Sequence, residues 1–354
     1  KVNRAGAVEL KGIEKSFVIQ ALGKIGVPGT AEDSMAVVNA VKGYVEGKKA
    51  KKFDVNLRRS AAIALGQLAP QCETSVQKSL VMTLKAIAKD GKDASERNYA
   101  MIAIGRIAAT EGIGDETLET AVATLKHYLD KGKPANLAQP FAALGLGLIG
   151  RSMASAGEEE IKMPLRKKFA DGGAPRPRGA YAIASGLVRD KLAVPTLIEV
   201  LKDSNDSKLK GYTAVSLGMI GDQNAKEAVR DALTNDNDRN VRVQTAIAAG
   251  LMGDAGVIDE LVKILESGEE SQYVLGSVAL ALGQIGDERA IEPLLRISAD
   301  ADKKFPEITR ALATVALGQI GDRRDVPTLA RVMRDINFRA IGQIPSLNEI
   351  GTIL

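Results

Sequence analysis

Residues 282–287 read Leu-Gly-Gln-Ile-Gly-Asp, and the same six residues return at 317–322. Leu217 to Asp222 is a near copy, and weaker copies set their first glycine at Gly23, Gly66, Gly105, Gly147, Gly186 and Gly250, with a degenerate one at Gly342. The steps between successive first glycines run 43, 39, 42, 39, 32, 32, 33, 35 and 24 residues. A period of this length predicts a two-helix repeat, in which each pair buries its apolar face by stacking on its neighbours.

With the first glycine of each copy as position zero, positions −3, −1 and +2 are apolar, as in Val215, Leu217 and Ile220 or Val315, Leu317 and Ile320. Position −2 is small: Ala21, Ala64, Ala103, Gly145, Ala184, Ser216, Ala248, Ala281 and Ala316. This is a helical stripe whose small residues let a neighbouring helix come close. A glycine inside a helix costs about 1 kcal/mol relative to alanine, so its recurrence needs a packing reason, and close helix contact supplies one. Five consecutive copies end in an aspartate, Asp190, Asp222, Asp254, Asp287 and Asp322, and a second amphipathic segment follows, as at 194–201, 258–265 and 291–297. We expect each aspartate to cap that second helix, an interaction of about 0.5–2 kcal/mol, with Pro195, Pro293 and Pro327 in its opening turn. Each unit then reads helix A, tight turn, helix B, loop.

The fold expected is all-α, a right-handed α-α superhelix of about nine to ten helical pairs running through residues 1–354 as a single solenoid. Longer, irregular repeats occupy 1–180, regular repeats of about 32–35 residues occupy 181–335, and 336–354 forms a C-terminal cap or docking segment. Composition agrees. A single core rarely grows beyond ~250–300 residues, and 354 residues suit a fold that extends by repetition. Aromatics make up only 3% of the chain and tryptophan is absent, which suits closely approaching helices.

The same inventory narrows the chemistry. One cysteine, Cys72, and one histidine, His127, make neither an internal disulfide nor a Cys/His zinc site, and a nucleophile with its base is usually Ser or Cys with His. Cys72 reads as a buried inert thiol and His127 as a surface or interface residue on a B helix. The aspartates come one per repeat, unlike a calcium loop, which gathers several oxygen ligands within about a dozen residues. We therefore expect no metal and no cofactor. The longest uncharged stretch, 134–150, contains Asn136, Gln139 and two prolines and falls short of the ~20 apolar residues of a membrane helix. A soluble chain is expected, cytoplasmic or exported with loss of an N-terminal signal.

Charge supplies the candidate contacts. The net charge of +4 divides unevenly: residues 1–177 carry 27 Lys and Arg against 19 Asp and Glu, net +8, and residues 178–354 carry 21 against 25, net −4. Two basic stretches, Lys48, Lys49, Lys51 and Lys52 with Arg58 and Arg59 after them, and Arg166, Lys167 and Lys168 followed by Arg176 and Arg178, are expected in or beside long loops, as solvated loop charges or as a grip on an acidic protein surface or phosphates. No aromatics interleave with them, which disfavours nucleic acid. Asp171 to Gly179 reads as a long loop. Phe17, Tyr99, Phe141 and Tyr212 each stand six residues before their repeat's glycine and are expected to pack between repeats. At the end of the chain, Leu347, Ile350 and Leu354 form an apolar stripe that would cap the solenoid or dock a neighbouring subunit.

The motif resembles the HEAT family, and in its 32-residue spacing the HEAT-like subgroup of phycobilisome bilin lyases. The resemblance covers nearly the whole chain and is strongest from Pro195 to Met333. In the N-terminal half, Val27, Pro70, Ala109 and Arg151 replace the aspartate. HEAT-like iron hydroxylases depend on repeated His-Glu pairs, which this sequence lacks. The stacked helix pairs imply an extended, curved surface that binds one or more protein partners, with outward B-helix residues such as Lys226, Arg230, Asp259, Lys263, Glu292 and Arg296 setting specificity. A non-catalytic interaction scaffold is the leading expectation. A structural subunit organising a larger complex or filament, with self-association, comes second, and a bilin-lyase-like enzyme or chaperone third.

Overall fold

The computed structural model describes residues 11–26, 31–47, 52–133, 135–153, 158–268, 270–300 and 304–321. Lys48, Lys49, Lys51, Asp322, Pro327, Leu347, Ile350 and Leu354 lie outside the described residues, as does the C-terminal segment as a whole. Seventeen α-helices and no strand occur among the described residues, and the chain groups into two units, Lys1–Pro177 and Arg178–Leu354.

In the first unit A helices alternate with B helices: α1 (Gly12–Ile25), α2 (Ala31–Lys42), α3 (Val55–Leu68), α4 (Thr74–Asp90), α5 (Ala94–Ala108), α6 (Asp115–Lys131), α7 (Ala135–Ser152) and α8 (Glu158–Ala170). From the junction onward follow α9 (Pro175–Leu187), α10 (Val194–Asp203), α11 (Ser207–Ile220), α12 (Lys226–Asn235), α13 (Arg239–Met252), α14 (Ile258–Ser267), α15 (Gln272–Ile285), α16 (Ile291–Ala299) and α17 (Glu307–Gly321). The expected loop at 171–179 shrinks to the four residues before Pro175, because Pro175 and Pro177 take the first turn of α9, where a missing N–H leaves nothing unpaired.

B helices bury one stripe only. In α10 it is Val194, Leu197, Val200 and Leu201, and in α14 Ile258, Leu261 and Leu265. The A helices between α1 and α17 bury more of their circumference, most fully in α9, where Gly179 through Leu187 are all covered. The reason is the contact between successive A helices, in which the first glycine of one repeat seats the −2 residue of the next. A Cβ placed on Gly23 would lie 2.9 Å from Ala64 Cα, one on Gly66 2.8 Å from Ala103 Cα, and one on Gly105 2.6 Å from Gly145 Cα. In the second unit the same pairs are Gly186 with Ser216 at 2.9 Å, Gly218 with Ala248 at 2.6 Å, Gly250 with Ala281 at 3.0 Å and Gly283 with Ala316 at 2.7 Å. Two turns earlier, Gly179, Gly211 and Gly276 make room in the same way for Tyr212, Gln244 and Leu312. Tyr99 meets Phe141 edge-on with centroids 6.0 Å apart. Phe17 departs from the expectation of inter-repeat packing, standing 67% exposed on α1.

The aspartates cap, but one step earlier than expected. Asp190, Asp222, Asp254 and Asp287 accept hydrogen bonds from the backbone N–H of Leu192, Asn224, Gly256 and Arg289 at 3.1, 2.9, 3.3 and 3.0 Å. Each thereby opens a three-residue 3₁₀ turn that leads into helix B without a break. The residue before the aspartate takes the left-handed conformation that ends helix A: Gly221, Gly253 and Gly286 have φ of 69°, 61° and 73°. Arg189 occupies the same place at φ 50°, where a Cβ costs about 1–2 kcal/mol.

Two substitutions test this frame. Gly218→Ala should destabilise the protein by about 1–3 kcal/mol through overpacking, reversing the ~1 kcal/mol that alanine would otherwise gain in a helix; a urea midpoint that stays level or rises would contradict the seating contact. Arg189→Gly should stabilise by about 1 kcal/mol, seen as a rise of roughly 2–4 °C in melting temperature.

Candidate functional site

A helices spend their surface on stacking, so the faces open to a ligand or partner belong chiefly to the B helices. In the second unit that face is charged and largely answers itself. Arg230 on α12 reaches the capping aspartate of the next repeat, donating to Asp254 through Nε at 2.7 Å and Nη2 at 2.6 Å, with Lys226 at 3.5 Å from the same carboxylate. Gly256 makes this possible, since a Cβ there would sit 2.1 Å from Arg230 Nη2. Asp259 pairs with Arg289 at 3.1 Å, and Arg296 pairs with Glu266 and, at 3.8 Å, Glu292. Of the six outward residues expected to set specificity, Lys226, Arg230, Asp259, Glu292 and Arg296 are thus engaged within the chain, and Lys263 stands exposed. A polar groove of about 340 Å³ lies between α10 and α12, bordered by Leu201, Lys202, Asp231 and Asn235.

The first unit differs. Ion pairs tie its B helices edge to edge, Lys78 to Glu116 at 2.6 Å and Lys126 to Glu160 at 2.8 Å. The outward faces nevertheless carry methionines: Met35 on α2, Met82 on α4 and Met163 on α8 are 36%, 52% and 60% exposed. Lys85 and Lys89 flank Met82, and Lys167 flanks Met163, all exposed. Between α2 and α4 runs a groove lined by Met35, Val38, Val76 and Leu80, with Lys42 and Ser79 joined across it at 3.3 Å.

The second basic stretch lies on the helix ends that flank the short loop 171–174. Arg166, Lys167 and Lys168 belong to the last turns of α8, and Arg176 and Arg178 to the first turn of α9. Arg166 pairs with Glu159 at 3.2 Å. Lys52 precedes α3 in a turn. Arg58 is buried within α3 and holds the fully buried Glu96 at 2.5 Å, while its neighbour Arg59 holds Asp93 at 2.6 Å. Burial would raise Asp93, yet hydrogen bonds and charge from Arg59 and the N–H groups of Ser95 and Glu96 hold its carboxyl below the usual range. Those two arginines therefore brace adjacent repeats. Asp93, Asp206 and Asp238, which accept from the first turns of α5, α11 and α13, were not singled out in the sequence. The 32-residue step from Asp206 to Asp238 is the signal that could have found them.

Cys72 is half-buried and burial pushes its thiol up, so it stays protonated rather than nucleophilic. His127 is exposed and meets Tyr128 edge-on. Among the described residues no group of three or more His, Cys, Asp or Glu is placed to hold a metal ion, and no helix is long and apolar enough to cross a membrane.

At the level of sequence, the HEAT-repeat family profile matches residues 163–244 and 227–312, and no curated protein matches the chain. The match is to HEAT repeats in general. Among solved structures, Kap121p bound to Nup53p aligns with a TM-score of 0.52 at 17% identity over 94% of this chain and 36% of its own. This chain thus spans about a third of the length of Kap121p. The protein YibA of E. coli aligns at 0.49 and 15% identity over 89% of this chain and 100% of its own, and human deoxyhypusine hydroxylase at 0.33 and 15% over 87% and 98%. At these identities the Kap121p likeness establishes the fold alone; the other two carry no argument.

The Arg230 to Asp254 contact has a pH signature. Burial would raise Asp254, but Arg230, the Gly256 N–H and Lys226 together hold it below its ordinary value. A carboxyl with a lowered folded pKa contributes stability that is present above its unfolded value, near 4, and lost as pH falls through the folded value. Arg230→Met should cost about 1 kcal/mol at neutral pH and flatten the loss of melting temperature below pH 4. An unchanged acid limb would show that the pair is not coupled to folding.

Proposed function

We propose that this chain, in which residues 163–312 are HEAT repeats, is a non-catalytic scaffold that holds a protein partner against the outward faces of its B helices. The observation that carries this reading is the exposed methionine content of the first unit, Met35, Met82 and Met163 on three B helices. An unbranched, polarisable side chain suits a surface that moulds itself to a partner. Lys85, Lys89 and Lys167 share those faces, so the segment that fits presents apolar side chains among carboxylates. Lys168 on α8 and Arg176 at the end of the same unit would extend that basic field. The second unit, with its charges paired across repeats, supports a spacer role more than a contact role.

The protonated Cys72 thiol and the exposed position of His127 favour binding over catalysis. The fold it shares is a binding platform in Kap121p, whose structures hold Nup53p, Pho4p or Ste12p. A second reading, a subunit that organises a larger assembly, rests on the net charges of +8 and −4 in the two halves.

The test is capture of the tagged full chain from its own cells in mild salt, beside the Met82→Glu, Met163→Glu double variant. We expect a defined protein in fixed ratio with the unaltered chain and about tenfold less with the variant, a loss of some 1.4 kcal/mol, while circular dichroism stays the same. Equal recovery by both would remove the methionine face from the reading. A small ligand such as a tetrapyrrole recovered without any protein would overturn the scaffold itself.

A further inference from the structure

Along the B helices of the second unit, outward charges find partners one repeat away: Arg230 finds Asp254, Arg289 finds Asp259 and Arg296 finds Glu266. Between α10 and α12 that pairing lapses. Lys202, near the end of α10, and Asp231, on α12, stand exposed on the two sides of the groove of about 340 Å³, and neither enters an ion pair among the described residues. Asn235 donates to Asp231 Oδ1 at 2.7 Å, which orients the carboxylate and leaves Oδ2 for another donor. The second carboxylate at the groove is already spent. Asp236 accepts from Lys210 Nζ through Oδ2 at 2.7 Å and from the Asp238 N–H through Oδ1 at 2.9 Å.

The groove has a reason in the sequence. At position +14 from the first glycine, α10, α14 and α16 carry Val200, Ile264 and Ile297, whereas α12 carries Ala232. The carbons missing there leave a hollow floored by Leu201, Ala228 and Ala232, all three buried. A simple anion drawn to Lys202 would face Asp231, and a simple cation drawn to Asp231 would face Lys202. A molecule that carries both charges answers both sides. The volume stands at the low end of the ~300–1,000 Å³ of small-molecule sites, and the apolar floor suits a short carbon chain.

We propose that this groove binds a small zwitterion, a free aliphatic α-amino acid, with its carboxylate on Lys202 Nζ, its ammonium on Asp231 Oδ2 and its side chain over Leu201, Ala228 and Ala232. Asn235 is a positioning residue, holding the Asp231 carboxylate toward the opening. The site lies wholly within the second unit. It uses neither the methionine faces nor a protein partner, so it stands or falls separately from the scaffold reading above.

The experiment is equilibrium dialysis of the purified full chain against radiolabelled L-leucine. We expect saturable binding of one leucine per chain. Lys202→Met and Asp231→Asn should each weaken it about tenfold or more, the loss of one charged contact, with circular dichroism unaltered because both side chains are exposed. Ala232→Ile should abolish binding by filling the floor, and the fold should tolerate it, since Ile264 and Ile297 occupy the same place in neighbouring repeats. N-acetyl-leucine, which lacks the ammonium, and leucinamide, which lacks the carboxylate, should compete about tenfold more weakly than leucine itself. Absence of saturable leucine binding would overturn the proposal, as would binding that ignores Lys202→Met and Asp231→Asn. Equal competition by either leucine derivative would show that one charge suffices and would overturn it too. Tighter binding of dileucine than of leucine would mean that a peptide occupies the groove, and would remove the free amino acid as its ligand.

Discussion

The approach of one A helix to the next within about a methyl group's thickness is the constraint on which the rest of the structure depends. Seven times in the two units a first glycine faces a residue two positions before the following repeat's glycine, and the missing side chain is filled by the neighbour's backbone or Cβ. Glycine inside a helix is unfavourable by itself, so the stack stabilises the very positions that local propensity would discourage. With the A helices this close, little of their surface is left over. B helices, the 3₁₀ turns and the charged side chains are all arranged around a spine of small residues.

Much of this was legible in the sequence because it repeats. The glycine at position zero, the small residue at −2 and the trailing aspartate recur at 32 to 43 residues, and a feature that recurs at a helical period is read as a helix with a face. What the spacing could not show is that the glycine and the small residue are partners across neighbouring repeats, since both lie on one helix and nothing in a single copy says which meets which. The aspartates illustrate a finer limit. Lys191, Leu192 and Ala193 contain no residue that breaks a helix, so the 3₁₀ turn they form reads as the beginning of helix B.

The candidate contacts were less legible, and for a definite reason. A basic run looks like a free surface until its counter-charges are found, and those lie about one repeat away. Arg58 finds Glu96, Arg59 finds Asp93 and Lys126 finds Glu160, each 34 to 38 residues along the chain. Searching for opposite charge one period away would have separated the bracing arginines from the exposed lysines. The exposed methionines carry only a partial repeat signal: Met82 and Met163 both stand 16 residues after their repeat's first glycine, Gly66 and Gly147, while Met35 stands 12 after Gly23, so no single offset collects all three.

The seat at position zero also governs how such a chain can change its length through evolution. Duplicating or deleting one whole repeat hands each glycine a new neighbour of the same kind, and the spine closes over the edit. Inserting or deleting a single residue inside helix A turns everything beyond it by about 100°, and the small residue leaves its seat for a side chain that cannot enter it. The molecule is therefore built to grow in blocks, while the B helices, 17 residues long in α4 and α6 against 10 in α10, α12 and α14, absorb the smaller changes. The first four steps, of 39 to 43 residues, against the next four, of 32 to 35, fit that division, with the extra residues lying outside the seats.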